Sequence, residues 1–154
     1  MKVKNRKFDI VINIICLLLL LGITVYLAVN WNNIPGKVPG HYNAMGEIDR
    51  WGNKNELLIM TVIAWIIYFL MTILEGFPRI WNTGVAVTEE NKERVYRILK
   101  SVLSATKLLV VATFAYLTII SSLFKELPSW FLPVFLFIIL GSMIWLIVKL
   151  FKAK

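Results

Sequence analysis

Four long segments without charged side chains most strongly constrain what this chain can fold into. Residues 10–36, 57–74, 108–124 and 127–148 contain no Asp, Glu, Lys or Arg and are mainly aliphatic and aromatic. A helix rises about 1.5 Å per residue, so about 20 apolar residues cross a bilayer core of about 30 Å. The chain is 58% hydrophobic, whereas soluble domains are roughly 45–50% apolar. These features predict four transmembrane helices.

We therefore expect an all-α integral membrane protein, with residues 1–154 forming a single membrane domain. The predicted spans are about 9–30, 56–75, 104–124 and 128–150, with a loop at 31–55 and a connecting segment at 76–103. The first apolar run exceeds the roughly 7–15 residues of a signal-peptide core, so we interpret it as a retained anchor. The single cysteine, Cys16, lies in this run and is expected to be a buried, free thiol.

The basic residues are distributed unevenly between the two sides of these spans. Thirteen of the 17 Lys and Arg residues lie in the N-terminus, the second connection and the C-terminus, whereas four lie on the other side: Lys37, Arg50, Lys54 and Lys125. The positive-inside rule then predicts cytoplasmic termini and an extracytoplasmic loop at 31–55. Because the cations flank the spans, we do not expect nucleic-acid binding.

The cytoplasmic segment is predicted to contain an amphipathic helix before the third span. Its apolar residues follow the helical spacing i, i+3, i+4, i+7, i+8: Val95, Ile98, Leu99, Val102 and Leu103. Such a helix can lie on the inner leaflet, where its basic residues are attracted to anionic lipid.

The loop between the first two spans carries most of the polar chemistry. Pro and Gly pairs favour turns, so we expect an ordered cap without regular helix. Asn53 and Glu56 have the spacing of a capping box for the second helix. The residues that could bind a ligand are Pro39, His41, Asn43, Glu47, Asp49, Arg50, Trp51 and Lys54. The alternative is that the same residues only fold the cap, through ion pairs and interfacial anchoring.

Catalysis, metal binding and transport have weaker support. His41, Glu47 and Asp49 could hold a metal ion, but the chain has one histidine and neither an HExxH motif nor a nucleophile elbow. We therefore predict no enzymatic activity, no metal and no cofactor. Transporters usually carry ionisable groups inside the membrane, whereas Asp9 and Lys107 lie near the ends of predicted spans.

The loop also resembles a known bacterial membrane domain. Ile34-Pro35, Val38-Pro39-Gly40-His41-Tyr42-Asn43 and GEIDRWGNK at residues 46–54 resemble the signature of a domain of unknown function found at the N-terminus of SdpI-type immunity proteins. A second block, residues 78–97, is similar to the cytoplasmic connection of such proteins. The resemblance implies a multi-spanning plasma-membrane protein.

From this resemblance we expect immunity to, or sensing of, an extracellular toxic peptide or envelope stress. The alternative is a structural or accessory subunit of a membrane complex, such as an exporter. Expected partners are the bilayer, an extracellular peptide or lipid headgroup, and a cytoplasmic regulator or membrane protein. The candidate cytoplasmic interaction residues are Arg79, Trp81, Asn82, Arg94 and Arg97, although attraction to anionic lipid would explain the arginines as well.

Overall fold

The protein is mostly helical in the computed structural model, which describes residues 3–154. Four helices dominate: α1 (Lys7–Asn30), α2 (Asn55–Glu75), α3 (Lys92–Ser122) and α4 (Phe131–Lys152). All four are long and apolar enough to cross a membrane. The prediction of four candidate spans is therefore confirmed by length and composition.

Helix α3 differs from the prediction because the amphipathic segment is its first part and not a separate helix. The helix is continuous over 31 residues, about 46 Å at about 1.5 Å per residue, which exceeds a bilayer core of about 30 Å. Residues 92–122 contain no Pro or Gly to interrupt the helix. The helix therefore begins at Lys92, before the predicted start of the span near residue 104, and the start of the span itself stays a prediction.

Helices α1, α2 and α3 share an apolar core. Ile12, Cys16 and Leu20 recur every fourth residue on one face of α1. They pack with Ala64 and Tyr68 of α2 and with Val111 of α3. The Cys16 side chain is fully buried, as predicted for a thiol acting as a small hydrophobe.

Helix α4 packs on α3 at the edge of this group. No residue in its apolar window is buried inside the protein. Near its C-terminal end, Leu150 and Ala153 pack with Val95 and Leu99 of α3. The first turns of α3 are therefore covered by the end of α4.

The segment between α1 and α2 contains a β-hairpin, so the all-α prediction was wrong here. After a 3₁₀ turn (Trp31–Asn33), strands β1 (Lys37–Tyr42) and β2 (Ile48–Asn53) pair antiparallel. The pairing shifts register between Pro39 and His41, and such a bulge accommodates a proline in a strand. Val38 is fully buried and anchors the hairpin in a second apolar cluster with Leu27, Ile34 and Leu57.

The loops fall into two groups at opposite ends of the helices. The hairpin end comprises residues 31–54 and 123–130, joined where the Leu127 N–H donates to the Gly46 carbonyl at 2.9 Å. The terminal end comprises residues 3–6, 76–91 and 153–154, and includes a 3₁₀ turn at Pro78–Ile80. There Lys100 Nζ donates to the Val3 carbonyl at 2.9 Å.

Candidate functional site

Asn43 and Gly46 form the turn of the hairpin. Asn43 Oδ1 accepts hydrogen bonds from the N–H groups of Met45 (2.9 Å) and Glu47 (3.0 Å), and its Nδ2 donates to the Glu47 carboxylate at 2.7 Å. Gly46 has a φ of +90°, in the region that favours glycine. Because Gly46 also accepts the Leu127 hydrogen bond, the turn is fixed onto the α3–α4 connection.

Arg50 fastens the hairpin to the start of α2. Its guanidinium donates to the Gly40 carbonyl at 2.6 Å and to both oxygens of Glu56 at 3.2 and 3.0 Å. Such two-point contacts suit the planar guanidinium, and the bond to Glu56 raises the pKa of Arg50. Glu56 also accepts the Asn53 N–H at 3.2 Å, while Asn53 Oδ1 accepts the Asn55 N–H at 2.9 Å. One of the two reciprocal bonds of the predicted capping box is therefore present, from the Asn53 N–H to Glu56. The other is replaced by the bond to Asn55, and Lys54 occupies the N-cap position of α2.

His41 and Asp49 form a pair across the two strands. His41 Nδ1 lies 2.7 Å from Asp49 Oδ1, and 63% of the His41 side chain is exposed. Among residues 3–154, His41 Nε2 has no hydrogen-bond partner. This nitrogen is therefore accessible to a ligand, and Asp49 fixes the orientation of its ring.

Trp51 and Lys54 attach the hairpin to neighbouring helix ends. The Trp51 ring stacks on Phe124, with the ring centroids 6.2 Å apart. Lys54 Nζ donates to the carbonyls of Trp31 (3.2 Å) and Ile34 (3.4 Å) and lies 4.7 Å from the centre of the Trp31 ring. These contacts place a cation just beyond the C-terminal end of α1, where the helix dipole favours it.

A cleft of about 420 Å³ opens between the hairpin and the adjoining ends of α3 and α4. We call it the hairpin cleft. Its floor is apolar: Met60, Leu117, Leu127, Phe131 and Leu132. Its edge is formed by hairpin residues and one serine of α3: Pro39, Gly40, His41, Tyr42, Asn43, Ala44 and Ser121. Small-molecule and side-chain pockets in proteins have volumes of about 300–1,000 Å³ and similar apolar linings.

The hydroxyl groups at this edge are already engaged, whereas the nearby carboxylates lack cationic partners. Tyr42 donates to the Lys125 carbonyl at 3.1 Å, and Ser121 donates to the Pro39 carbonyl. Burial raises the pKa of the Tyr42 hydroxyl, so it remains neutral at physiological pH. Within residues 3–154, no Lys or Arg pairs with Glu47 or Asp49. The two carboxylates lie behind the edge, where each is bonded to a residue that lines the hairpin cleft.

The structure separates the eight residues predicted to bind a ligand into two groups. Pro39, His41 and Asn43 line the hairpin cleft. The others make internal contacts that hold the hairpin: Glu47, Asp49, Arg50, Trp51 and Lys54. These contacts agree with the interpretation that the residues fold the cap. Ligand binding stays a prediction.

The candidate interaction residues at the terminal end have different environments. Trp81 donates its Nε1–H to the Leu74 carbonyl at 2.8 Å, and Asn82 accepts the Gly84 N–H at 3.1 Å. Arg97 pairs with Glu93 one turn earlier on α3. The remaining two, Arg79 and Arg94, are exposed. Trp81 and Asn82 therefore shape the α2–α3 connection, and only the arginines present their charge at the surface.

Sequence analysis missed a buried ion pair between α2 and α3. Lys107 Nζ lies 2.9 Å from Glu75 Oε1, with 0% of the lysine and 7% of the glutamate side chain exposed. Lys107 also donates to Asn13 of α1 (2.7 Å) and to Thr72 (3.2 Å), and Ser104 donates to Glu75 at 3.0 Å. Three helices thus converge on one charged pair.

Lys107 was placed near the end of a span in the sequence analysis and was given no partner. In the structure Lys107 lies midway along α3, which begins at Lys92, and it meets Glu75, the last residue of α2. The spacing of polar residues in the sequence could have indicated this buried pair. Thr72 and Glu75, and likewise Ser104 and Lys107, are three residues apart and share a helix face.

Comparison with known proteins supports the resemblance of the loop. Residues 18–65 match the model of a family described as a domain of unknown function (DUF1648). This segment covers most of α1, the hairpin and the first half of α2. No curated protein and no solved structure matches the chain.

Proposed function

We propose that this protein recognises an extracellular peptide in its hairpin cleft and acts in immunity to, or sensing of, that peptide. The observation that carries the proposal is the cleft itself, an apolar cavity bordered by a fixed hairpin and by the accessible His41 nitrogen. A non-catalytic role fits this arrangement, since the cleft offers shape and polarity without a nucleophile beside a base.

The chemistry of the hairpin cleft favours a cationic, amphipathic peptide. An apolar floor accepts aliphatic or aromatic side chains, and burial of such groups stabilises a complex by about 25 cal/mol per Å² of apolar surface. Glu47 and Asp49 are each hydrogen-bonded to a residue lining the cleft, so their charges lie close behind its edge. These charges would attract Lys or Arg side chains on the incoming peptide.

This proposal places the hairpin end outside the cell and the terminal end in the cytoplasm. The supporting argument is the distribution of basic residues, thirteen of 17 of which belong to the N-terminus, the α2–α3 connection with α3, and the C-terminus. Charge bias of this kind sets the orientation of multi-spanning proteins. In this orientation, Arg79, Trp81, Asn82, Arg94 and Arg97 would be available to a cytoplasmic regulator.

Cysteine labelling tests this orientation. In a Cys16→Ala background, Met45→Cys at the hairpin end should react with a membrane-impermeant maleimide in intact cells. Ile80→Cys at the terminal end should react only after the cells are opened. Both native side chains are 66% exposed, so accessibility is matched. Labelling of position 80 but not 45 in intact cells would show that the orientation is the opposite of the one proposed. The hairpin cleft would then face the cytoplasm, and extracellular recognition would have no basis.

Filling the hairpin cleft should abolish its function. Ala44 lines the cleft, and Ala44→Trp would occupy it, whereas Met45 is 66% exposed and lies outside the lining. We expect deletion of the gene to sensitise cells to at least one member of a panel of cationic, envelope-active peptides. Wild-type protein and Met45→Trp should restore survival, and Ala44→Trp should weaken binding of that peptide at least about tenfold, about 1.4 kcal/mol.

Two outcomes of this experiment would count against recognition in the cleft. Unchanged survival of the deletion strain against the whole panel would contradict a role in immunity. Full rescue by Ala44→Trp, at an expression level equal to that of Met45→Trp, would exclude the hairpin cleft as the binding site.

A second candidate function, that of an accessory subunit, is favoured by the exposure of α4. Among the spans this helix packs mainly on α3, and no residue of its apolar window is buried. Another membrane protein could cover this face. Recovery of one stoichiometric partner from native membranes, lost when α4 carries Ile144→Trp, would support this function over peptide recognition.

A further inference from the structure

Five basic side chains from three separate segments converge at the terminal end. Arg6 precedes α1, Arg94 and Arg97 lie on α3, and Lys149 and Lys152 lie on α4. Together they line a cleft of about 390 Å³, which we call the basic cleft. Its remaining lining is mostly apolar and includes Ile98, Trp145 and Ala153.

Few of these cations form a direct ion pair, although Glu90 and Glu93 lie beside the three arginines in an adjoining cleft. In the part of the chain that the structure describes, Arg97 is the only one of the five with a carboxylate partner, Glu93. Like charges that face one another across a cleft repel, and a concave, partly apolar wall strengthens their common field. The arrangement is therefore stabilised when an anion occupies the cleft.

We propose that the basic cleft binds the headgroup of an anionic phospholipid. Guanidinium groups form paired hydrogen bonds with phosphate oxygens, and lysines add charge without fixed geometry. Two arginines of α3 and two lysines of α4 line the cleft together. A phosphate between them would contact both helices and would link α4 to the rest of the bundle.

The surroundings of the basic cleft indicate a lipid and not a soluble phosphate. Trp145 is 47% exposed in the lining, and Lys149 Nζ lies 5.6 Å from the centre of its ring. Tryptophan beside lysine is typical of the level at which headgroups meet hydrocarbon. Phe8 on α1 and Phe151 on α4, each within two residues of a lining residue in sequence, are 49% and 63% exposed. Acyl chains can pack on these side chains while the phosphate lies among the cations.

Native mass spectrometry of the full chain in detergent tests this assignment. The probes are phosphatidylglycerol, phosphatidylcholine and inorganic phosphate, each titrated separately. We expect phosphatidylglycerol to bind at least about tenfold more tightly than phosphatidylcholine. Replacing Arg94 and Lys149 by Gln should weaken phosphatidylglycerol binding roughly 10- to 30-fold, since each cation near an anionic headgroup contributes about fivefold.

The matched control removes two cations at the hairpin end. Lys37→Gln with Lys125→Gln makes the same change in net charge and should leave phosphatidylglycerol binding unchanged. Equal binding of the two lipids, or equal losses in both double variants, would overturn the basic cleft as a lipid site. Displacement of phosphatidylglycerol by inorganic phosphate at comparable concentration would overturn the lipid assignment in favour of a soluble anion. The result does not depend on peptide recognition, so either proposal can fail alone.

Discussion

Replacing Lys107 by Met should lower the free energy of unfolding by about 3–5 kcal/mol. The substitution keeps a long side chain but removes the charge that lies 2.9 Å from Glu75. Glu75 would then remain buried with Ser104 as its only hydrogen-bond donor from a side chain among residues 3–154. An almost fully buried carboxylate without a paired cation is strongly unfavourable, because little water solvates it. Reversible unfolding of the purified protein in mixed detergent micelles measures the loss.

A surface pair at the start of the same helix provides the control for this substitution. Lys92 pairs with Glu89 at 3.1 Å, but the two side chains are 37% and 90% exposed. Solvent screens such pairs, which contribute about 0–1 kcal/mol. Lys92→Met should therefore have little effect. A loss for Lys107→Met no larger than that for Lys92→Met would contradict a buried, charged pair.

Replacing both members of the buried pair should recover most of the stability. Glu75→Leu combined with Lys107→Met leaves no isolated charge, and apolar replacements of buried ion pairs are often neutral or stabilising. If the double variant recovers stability but loses its function in cells, the pair serves activity. Recovery of both would assign the pair to folding alone.

The spans could be predicted from the sequence because a bilayer imposes the same requirement on each helix. Backbone groups must be paired internally and side chains must be apolar over about 20 residues. Residues 57–74 satisfy this requirement, and α2 covers them. The contact between Asn53 and Glu56 was also predictable, because the Asn53 N–H and the Glu56 carboxylate that accepts it are only three residues apart.

Features that depend on distant residues could not be predicted in the same way. Lys107 meets Asn13 and Glu75, which are 94 and 32 positions away along the chain, so its burial follows from the packing of three helices. The β-hairpin was missed because its Pro and Gly residues suggested turns alone. Its regular pairing depends on burial of Val38 beneath α1 and α2. The hairpin cleft additionally requires the α3–α4 connection to lie against Gly46.

Replacing Gly46 by Ala should detach the hairpin from the α3–α4 connection. A Cβ at this position would lie 2.2 Å from the Leu127 carbonyl oxygen, which belongs to the backbone and cannot rotate away. The φ of +90° adds strain, of about 1–3 kcal/mol for a residue other than glycine. Displacement would also break the Leu127 hydrogen bond at 2.9 Å, a net loss of about 0.5–1.5 kcal/mol. Hydrogen exchange at the Leu127 amide should accelerate at least about tenfold.

Gly36→Ala tests whether this effect is specific to the turn. Gly36 lies in the same interhelical segment, but a Cβ there would meet no atom within 4 Å. This variant should keep the wild-type exchange rate at Leu127 and retain whatever peptide binding the wild type shows. Gly46→Ala should lose that binding, because the hairpin cleft requires both of its walls. If the Leu127 amide stayed protected in Gly46→Ala, the contact between the turn and the α3–α4 connection would not be what holds the hairpin in place. Other contacts would then have to maintain the hairpin cleft.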